Sequence, residues 1–166
     1  MAEFKYLMKS DFELLLPFLF QILADNMTKI APGNTREEDF NIWKKAVSEA
    51  LQKSNREIIL ILESNTKKII GYFQYSINGA TLLMEEFQIT AVYQGKENIF
   101  RDLYTFFIAN IHADMVYVEA YAHMQNHKSI GILNKLGLKK IGEGKNKKSY
   151  HFRGAYGDLL QWYRMK

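Results

Sequence analysis

The chain has 166 residues, 48% of them hydrophobic, which is enough apolar material for one ordinary folded domain spanning residues 1 to 166. It contains no cysteine, which excludes disulfides, thiolate metal sites and a cysteine nucleophile, and suits a reducing, cytoplasmic setting. Residues 126 to 166 hold ten Lys/Arg against two acids, whereas residues 1 to 125 hold twelve against sixteen, so the basic charge lies at the C-terminal end, where it suggests either a negatively charged ligand or a solvated lysine-rich loop.

In chain order, "EFKYLM" (3 to 8) alternates like a short strand, and Ser10-Asp11 offers a cap for a helix through "FELLLPFLFQILADNM". The opening residues lack the pattern of a signal peptide, and no apolar run approaches a bilayer span, so no membrane partner is expected. "APGN" (31 to 34) breaks the chain, and Thr35 with Glu38 forms a capping box for a second helix whose Phe40, Trp43, Val47 and Leu51 share a face. Three runs rich in β-branched and aromatic residues follow at 56 to 63, 68 to 77 and 81 to 92, separated by "SNT" and "NGA". These spacings predict an antiparallel meander.

"NIFRDLYTFFIANIHA" places Ile99, Leu103, Phe106 and Phe107 on one stripe behind the capping residue Asn98, and "MVYVEAYA" (115 to 122) returns as a strand. Strand, helix and strand in that order imply a right-handed crossover between neighbouring, roughly parallel strands. A further helix starts at the cap Asn126, carries Ile130, Leu133 and Leu136 on one face, and ends at Gly137. Beyond it, "LKKIGE" and "SYHFRGAYGDLLQWYRMK" read as strands around the polar insert "GKNKK". The fold class is therefore α/β, a mixed and mainly antiparallel sheet flanked by about four helices.

Two stretches carry the functional signal. In "EEFQITAVYQGKENIFRDL" a strand passes through a glycine-containing turn into a helix, and the first N–H groups of a helix, with its dipole, suit a pyrophosphate. Gly95 permits the turn and Lys96 adds charge. An ordinary strand-to-helix turn has the same appearance. In "NHKSIGILNKLGL" (126 to 138) the reading divides between a well-capped helix and a wall for a ligand.

Taken with the element order, "ITAVYQGKENIF" resembles the cofactor loop of the GNAT superfamily of N-acetyltransferases, and Asn126, Ser129, Leu133 and "KLGL" (135 to 138) resemble their second cofactor motif. The resemblance runs from the first strand to the terminal "GDLLQWYRMK", which looks like the family's last strand. It implies acetyl-CoA as donor and no metal. The pantetheine arm would pair with main-chain groups around Ile89 and Ala91 where two neighbouring strands splay apart, and the backbone of residues 89 to 91 would stabilise the oxyanion. The pyrophosphate would lie near Gln94 on the N–H groups of Gly95, Lys96, Glu97, Asn98, Ile99 and Phe100. Asn126 would hydrogen-bond the arm, and the helix at 127 to 136 would flank the thioester. This chain departs from the pattern at Glu97 and Ile99, where the family has small residues, and at Leu133, where it commonly has a tyrosine able to protonate the thiolate.

Amine acetylation needs a base for the amine proton. Glu85 and Glu86 precede the cofactor loop, where relatives place a carboxylate. Alternation puts Glu85 with Phe87 and Ile89, and Glu86 with Gln88 and Thr90. Glu119 and Tyr121 on the neighbouring strand are weaker candidates. His123 and His127 are four apart, but Asn126 caps a helix between them, so they do not form a zinc pair. Tyr72, Phe73, Tyr75, Phe40 and Trp43 read as core or sheet residues.

The reading is an N-acyltransferase that moves an acetyl group from acetyl-CoA to a primary amine by direct attack, with a small-molecule or peptide acceptor and no nucleic-acid partner. Its rivals are a catalytically silent CoA-binding relative and a nucleic-acid module using Lys139, Lys140, Lys145, Lys147 and Lys148. The acceptor and the oligomeric state, a homodimer included, stay open.

Overall fold

The computed structural model of the chain describes residues 2–27, 35–53, 55–95, 98–111 and 114–165. Among these, seven strands form one mixed sheet in the order β1-β2-β3-β4-β5-β7-β6, accompanied by five α helices. The residues group into two compact units, the first running up to Gln74 and including Glu86–Phe100, the second comprising Tyr75–Glu85 and the residues from Arg101 on.

In the first unit, β1 (Ala2–Tyr6) pairs antiparallel with β2 (Arg56–Glu63), Ala2 opposite Glu63 and Tyr6 opposite Ile59. The Ser10-Asp11 pair expected to cap α1 (Phe12–Met27) instead lies in a single 3-10 turn, Lys9–Asp11, which has no side-chain cap. Pro17 lies inside α1 at the loss of one backbone hydrogen bond, and the helix buries Leu16, Leu19, Phe20 and Ile22 along one side. The expected capping box is present: Thr35 Oγ1 accepts from Glu38 N–H at 3.2 Å, and α2 (Arg36–Leu51) follows. The "APGN" break lies outside the described residues.

The apolar run "REIILILE" is explained by burial on both faces of β2. Ile58, Leu60 and Leu62 join Leu16, Leu19, Val47 and Leu51 from α1 and α2, while Ile61 joins Ile70, Ile89 and Ile99 in a separate cluster. β3 (Ile69–Asn78) and β4 (Thr81–Ile89) are sheet neighbours joined by Gly79-Ala80, a two-residue connection that only antiparallel strands allow.

In the second unit, β4 and β5 (Tyr117–His123) pair in parallel from Thr81 opposite Tyr117 to Met84 opposite Ala120, the relation that the strand-helix-strand order predicts. β5 then pairs antiparallel with β7 (Ser149–Ala155), and β7 with the edge strand β6 (Lys139–Glu143), whose register shifts between Lys140 and Gly142. α3 (Ile99–Asn110) buries Leu103, Tyr104 and Phe107, with Tyr104 in place of the expected Phe106. The rings of Tyr75 and Phe107 meet edge-on at 4.7 Å.

α4 (His127–Lys135) starts and stops where the sequence predicts. Asn126 Oδ1 accepts from Ser129 N–H at 3.1 Å; at the far end Gly137 has φ +92°. Leu138 N–H reaches Leu133 O at 3.0 Å and Gly137 N–H reaches Asn134 O at 3.1 Å, the paired bonds of a Schellman cap.

The terminal segment differs from expectation. "GDLLQWYRMK" is not a last strand: α5 (Tyr156–Arg164) begins directly after β7. Tyr156 and Leu159 are buried at a three-residue spacing, and Trp162 continues that side, its ring 5.7 Å from that of Tyr104. Arg101 of α3 lies 4.7 Å over the Trp162 ring and donates to Tyr163 O at 2.7 Å and to Met165 O, satisfying carbonyls that the end of a helix leaves open. A long-range arginine cap cannot be read from the local sequence.

Candidate active site

β4 ends sooner than its apolar pattern suggests. Thr90 N–H still bonds Ile70 O at 2.8 Å, but Ala91–Tyr93 form a single 3-10 turn, so Ala91 and Val92 are not part of the strand. Gln94 follows, then Gly95 at φ +73°, a conformation glycine adopts without steric cost; a Cβ there would meet nothing within 4 Å. Lys96 and Glu97 lie outside the described residues. After Asn98, α3 opens at Ile99.

The two bulky residues at the helix start do not crowd this turn. Ile99 is buried against Ile61, Ile70 and Ile89, and the Phe100 ring packs edge-on against Phe87 at 4.9 Å. Their side chains point inward, so the departure from small residues at Ile99 is absorbed by the core. The first turn of α3 keeps the donor geometry and partial positive charge of any helix start.

Behind the turn runs a chain of side-chain amides within the first unit. Gln88 Nε2 donates to Glu86 Oε1, and Gln88 Oε1 accepts from Asn26 Nδ2 at 2.9 Å. Asn26 Nδ2 also reaches Ile89 O at 3.0 Å, and Gln94 Nε2 donates to the same carbonyl at 3.0 Å and to Asn26 Oδ1 at 3.3 Å. Glu86 is thus linked through Gln88 and Asn26 to Gln94 of the glycine turn. Sequence reasoning missed Asn26 because it meets Gln88 across 62 residues; a polar Asp25-Asn26 pair near the end of a mainly apolar α1 is the local trace. Gln94, expected beside a pyrophosphate, folds back onto the strand end.

Glu86 and Gln88 share a face, as alternation requires. For Glu85 the alternation argument does not hold. The Tyr104 hydroxyl bonds the Met84 sulfur, while Phe87 packs on Phe100; both partners are on α3 although Met84 and Phe87 are three residues apart. Period-two alternation is therefore interrupted within Met84–Phe87, and the expected grouping of Glu85 with Phe87 and Ile89 does not follow. Glu85 belongs to the second unit.

On the side of Glu86 lies Tyr72, fully buried among α1 and α2 residues, its hydroxyl without a hydrogen-bond partner among the described residues. Burial, and secondarily the charge of Glu86, push its ionisation well above that of an ordinary phenol.

A cleft of about 680 Å³ opens beside the amide chain, a size suited to a small molecule. Its described lining is mostly apolar and comprises Ile22, Thr90, Ala91 and Val92 with Asp25, Asn26 and Arg36. Arg36 Nη2 is bonded to Asp25 Oδ1.

In the second unit, Asn126 and Ser129 are joined as cap and first-turn donor, and Leu133 is buried as part of the C-terminal cap of α4. Tyr121 is half exposed and stacks on His151 at 4.4 Å, and His151 Nε2 lies 2.6 Å from Glu119 Oε1. His123 ends β5, its Nδ1 accepting from Gln125 N–H at 3.1 Å, whereas His127 starts α4, so the two share no helical face. Among the described residues no group of three or more His, Cys, Asp or Glu is placed to hold a metal ion, and no helix is long and apolar enough to cross a membrane.

No protein-family model matches the sequence, and no curated protein sequence matches it. Solved structures do. An acetyltransferase from Streptococcus agalactiae is 16% identical with a TM-score of 0.71, covering 93% of this chain and 98% of its own. The PaiA N-acetyltransferase from Thermoplasma acidophilum, in complex with coenzyme A, is 14% identical with a TM-score of 0.68, covering 94% and 99%. Spermidine N-acetyltransferase from Vibrio cholerae, in complex with CoA and spermine, is 15% identical with a TM-score of 0.59, covering 96% and 98%. With its seven-stranded mixed sheet, this chain has the fold of the GNAT acetyltransferases.

Proposed function

We propose that the protein is an acyl-CoA-dependent N-acyltransferase that moves an acetyl group from acetyl-CoA to a primary amine by direct attack in a ternary complex. The observation that carries this reading is the junction of β4 and α3: a strand that stops at Ile89, a glycine at φ +73° with open space beside it, and a helix start whose bulky Ile99 and Phe100 are turned into the core. Such a junction fits a diphosphate held by main-chain groups, which need no particular side chain. That PaiA N-acetyltransferase has been seen with coenzyme A and the spermidine enzyme with CoA and spermine supports the donor and an amine acceptor.

Acetyl-CoA supplies an acyl carbon activated by its thioester. The residues of the chain must place the amine, remove its proton and polarise the carbonyl. Glu86 is the base we assign, ahead of Glu85 and Tyr121, because its hydrogen bonds lead through Gln88 to Asn26, which lines the cleft. The amine nitrogen bonds to the acyl carbon and gives up a proton through water to Glu86, which the Gln88 and Asn26 amides hold in place; the C–S bond breaks and the thiolate takes a proton from water. Thr90 N–H is committed to Ile70 O, so within residues 89 to 91 it is the donor least suited to the oxyanion. Leu133 cannot protonate the thiolate, but a thiol of ordinary acidity is a tolerable leaving group. Without cysteine there is no covalent thiol relay. Asn126 and Ser129 are assigned to the pantetheine arm, the cap leaving Asn126 Nδ2 to serve as donor.

The buried Leu133 also favours a second reading, a silent CoA-binding protein. Thiol release on adding an amine to protein and acetyl-CoA separates the two: binding without release selects the silent protein, and release establishes the enzyme. A nucleic-acid role for the lysines of residues 139 to 148 is not part of the proposal, because no recognition motif accompanies them. The cysteine-free composition is the basis for placing the protein in the cytoplasm.

A further inference from the structure

Resting on the acyltransferase reading, we propose that the acceptor is an amino-acid-like molecule: a primary amine with its own carboxylate on a compact apolar body, bound in the cleft beside Asn26 with the carboxylate on Arg36. The cleft lies within one unit and holds about 680 Å³, the scale of a small molecule rather than a protein surface. Its described lining is mostly apolar, with Ile22, Thr90, Ala91 and Val92 among the lining residues, which calls for an apolar body. The formal charges among its described lining residues are one acid, Asp25, and one guanidinium, Arg36, bonded to each other.

That pair, its side chains more than half exposed, biases the cleft against both simple alternatives. A polyamine would bring an ammonium against Arg36, and a dicarboxylate would bring a carboxylate against Asp25; a molecule carrying one charge of each sign meets neither penalty. Arg36 is also well suited to a carboxylate. A guanidinium offers five N–H donors in a planar fork, and the bond to Asp25 engages Nη2. Asp25 therefore acts as a positioning residue, holding Arg36 at the first position of α2, where the helix dipole would otherwise disfavour a cation. At the other end of the ligand the amine meets Asn26, the start of the hydrogen-bond chain to Glu86. Transfer forms the amide N–C bond, breaks the thioester C–S bond and sends the amine proton through water to the carboxylate of Glu86, which the Gln88 and Asn26 amides orient without carrying the proton, while the departing thiolate takes a proton from water.

The test compares leucine, methionine and phenylalanine with the three amines that lack only the carboxylate, 3-methylbutylamine, 3-(methylthio)propylamine and 2-phenylethylamine, and with spermidine. Thiol release from acetyl-CoA is the activity readout, and calorimetric binding of N-acetylleucine against N-(3-methylbutyl)acetamide is the readout independent of turnover. The expected result is at least a tenfold higher kcat/KM for one or more amino acids than for the matched amine or spermidine, and binding of N-acetylleucine in preference to the amide. Arg36→Gln should abolish that preference chiefly through KM, and Arg36→Lys should restore part of it. Plain amines or spermidine turning over as well as the amino acids would overturn the proposal, as would an unchanged preference in Arg36→Gln. Acetyl-CoA binding with no amino acid accepted and no N-acetylleucine bound would overturn the acceptor assignment alone; absence of acetyl-CoA binding would overturn the underlying reading with it.

Discussion

Tyr72 is buried to the last of its surface, yet its hydroxyl has no hydrogen-bond partner among the described residues. A buried hydroxyl left unbonded costs on the order of 1–3 kcal/mol, so Tyr72→Phe should stabilise the protein by about 1 kcal/mol, read as a higher urea midpoint at unchanged slope. A lower midpoint would show that the hydroxyl is satisfied in solution. Gly95 gives the opposite kind of test. Its φ of +73° is strained for other residues, but the space beside it is open, so Gly95→Trp should cost only about 1 kcal/mol of stability while blocking the proposed diphosphate site. At this scale the sequence was legible where the chemistry is local: Glu86 with Gln88, and Gly95 in its turn. It was not legible where partners come from afar. The bond of Asn26 to Gln88 depends on α1 returning over β4, and the inward turn of Ile99 depends on a cluster assembled from three strands.

The elements that behaved as expected are those whose signals lie within a few residues. Thr35 and Glu38 close a capping box, and Asn126 and Gly137 bound α4. Asn126→Ala should lower stability by about 1 kcal/mol through the lost cap. Gly137→Ala should cost more than about 1 kcal/mol, because φ is +92° and the new Cβ would lie 3.0 Å from Asp158 Cβ; thermal melts of the two variants check the order. The elements that departed from expectation were decided by packing instead. α5 carries a tyrosine- and leucine-rich run that suits either a strand or a helix, and its state is settled by Trp162 against Tyr104 and by Arg101 at its carbonyl end. The strand expected to reach Val92 stops at Ile89, where Asn26 and Gln94 side chains both take the Ile89 carbonyl.

For the molecule as a whole, pH exposes the buried phenols. Burial raises the ionisation of Tyr72, Tyr104 and Tyr156, with a smaller push from Glu86 on Tyr72 and from Tyr156 on Tyr104. Each stays protonated in the folded chain at a pH where the unfolded chain has lost the proton. Stability is therefore unaffected by these groups below an unfolded phenol pKa of about 10, and falls above it by about 1.4 kcal/mol per pH unit for each group until its folded pKa is reached. Alkaline urea titrations should show this decline, and Tyr104→Phe should make it shallower; equal slopes would contradict the burial account. The order in which seven strands come together was not legible, since the placement of β7 between β5 and β6 rests on the pairing of β7 with β5 across the intervening α4 and β6, whereas the parallel relation of β4 and β5 followed from the helix between them. The central claim is that the turn from β4 into α3 holds the diphosphate of acetyl-CoA, and calorimetric titration of acetyl-CoA into the wild-type chain and into folded Gly95→Trp tests it most directly. Saturable binding that is lost in the variant is the predicted result; no heat with the wild type, or equal affinity in the two, would contradict it.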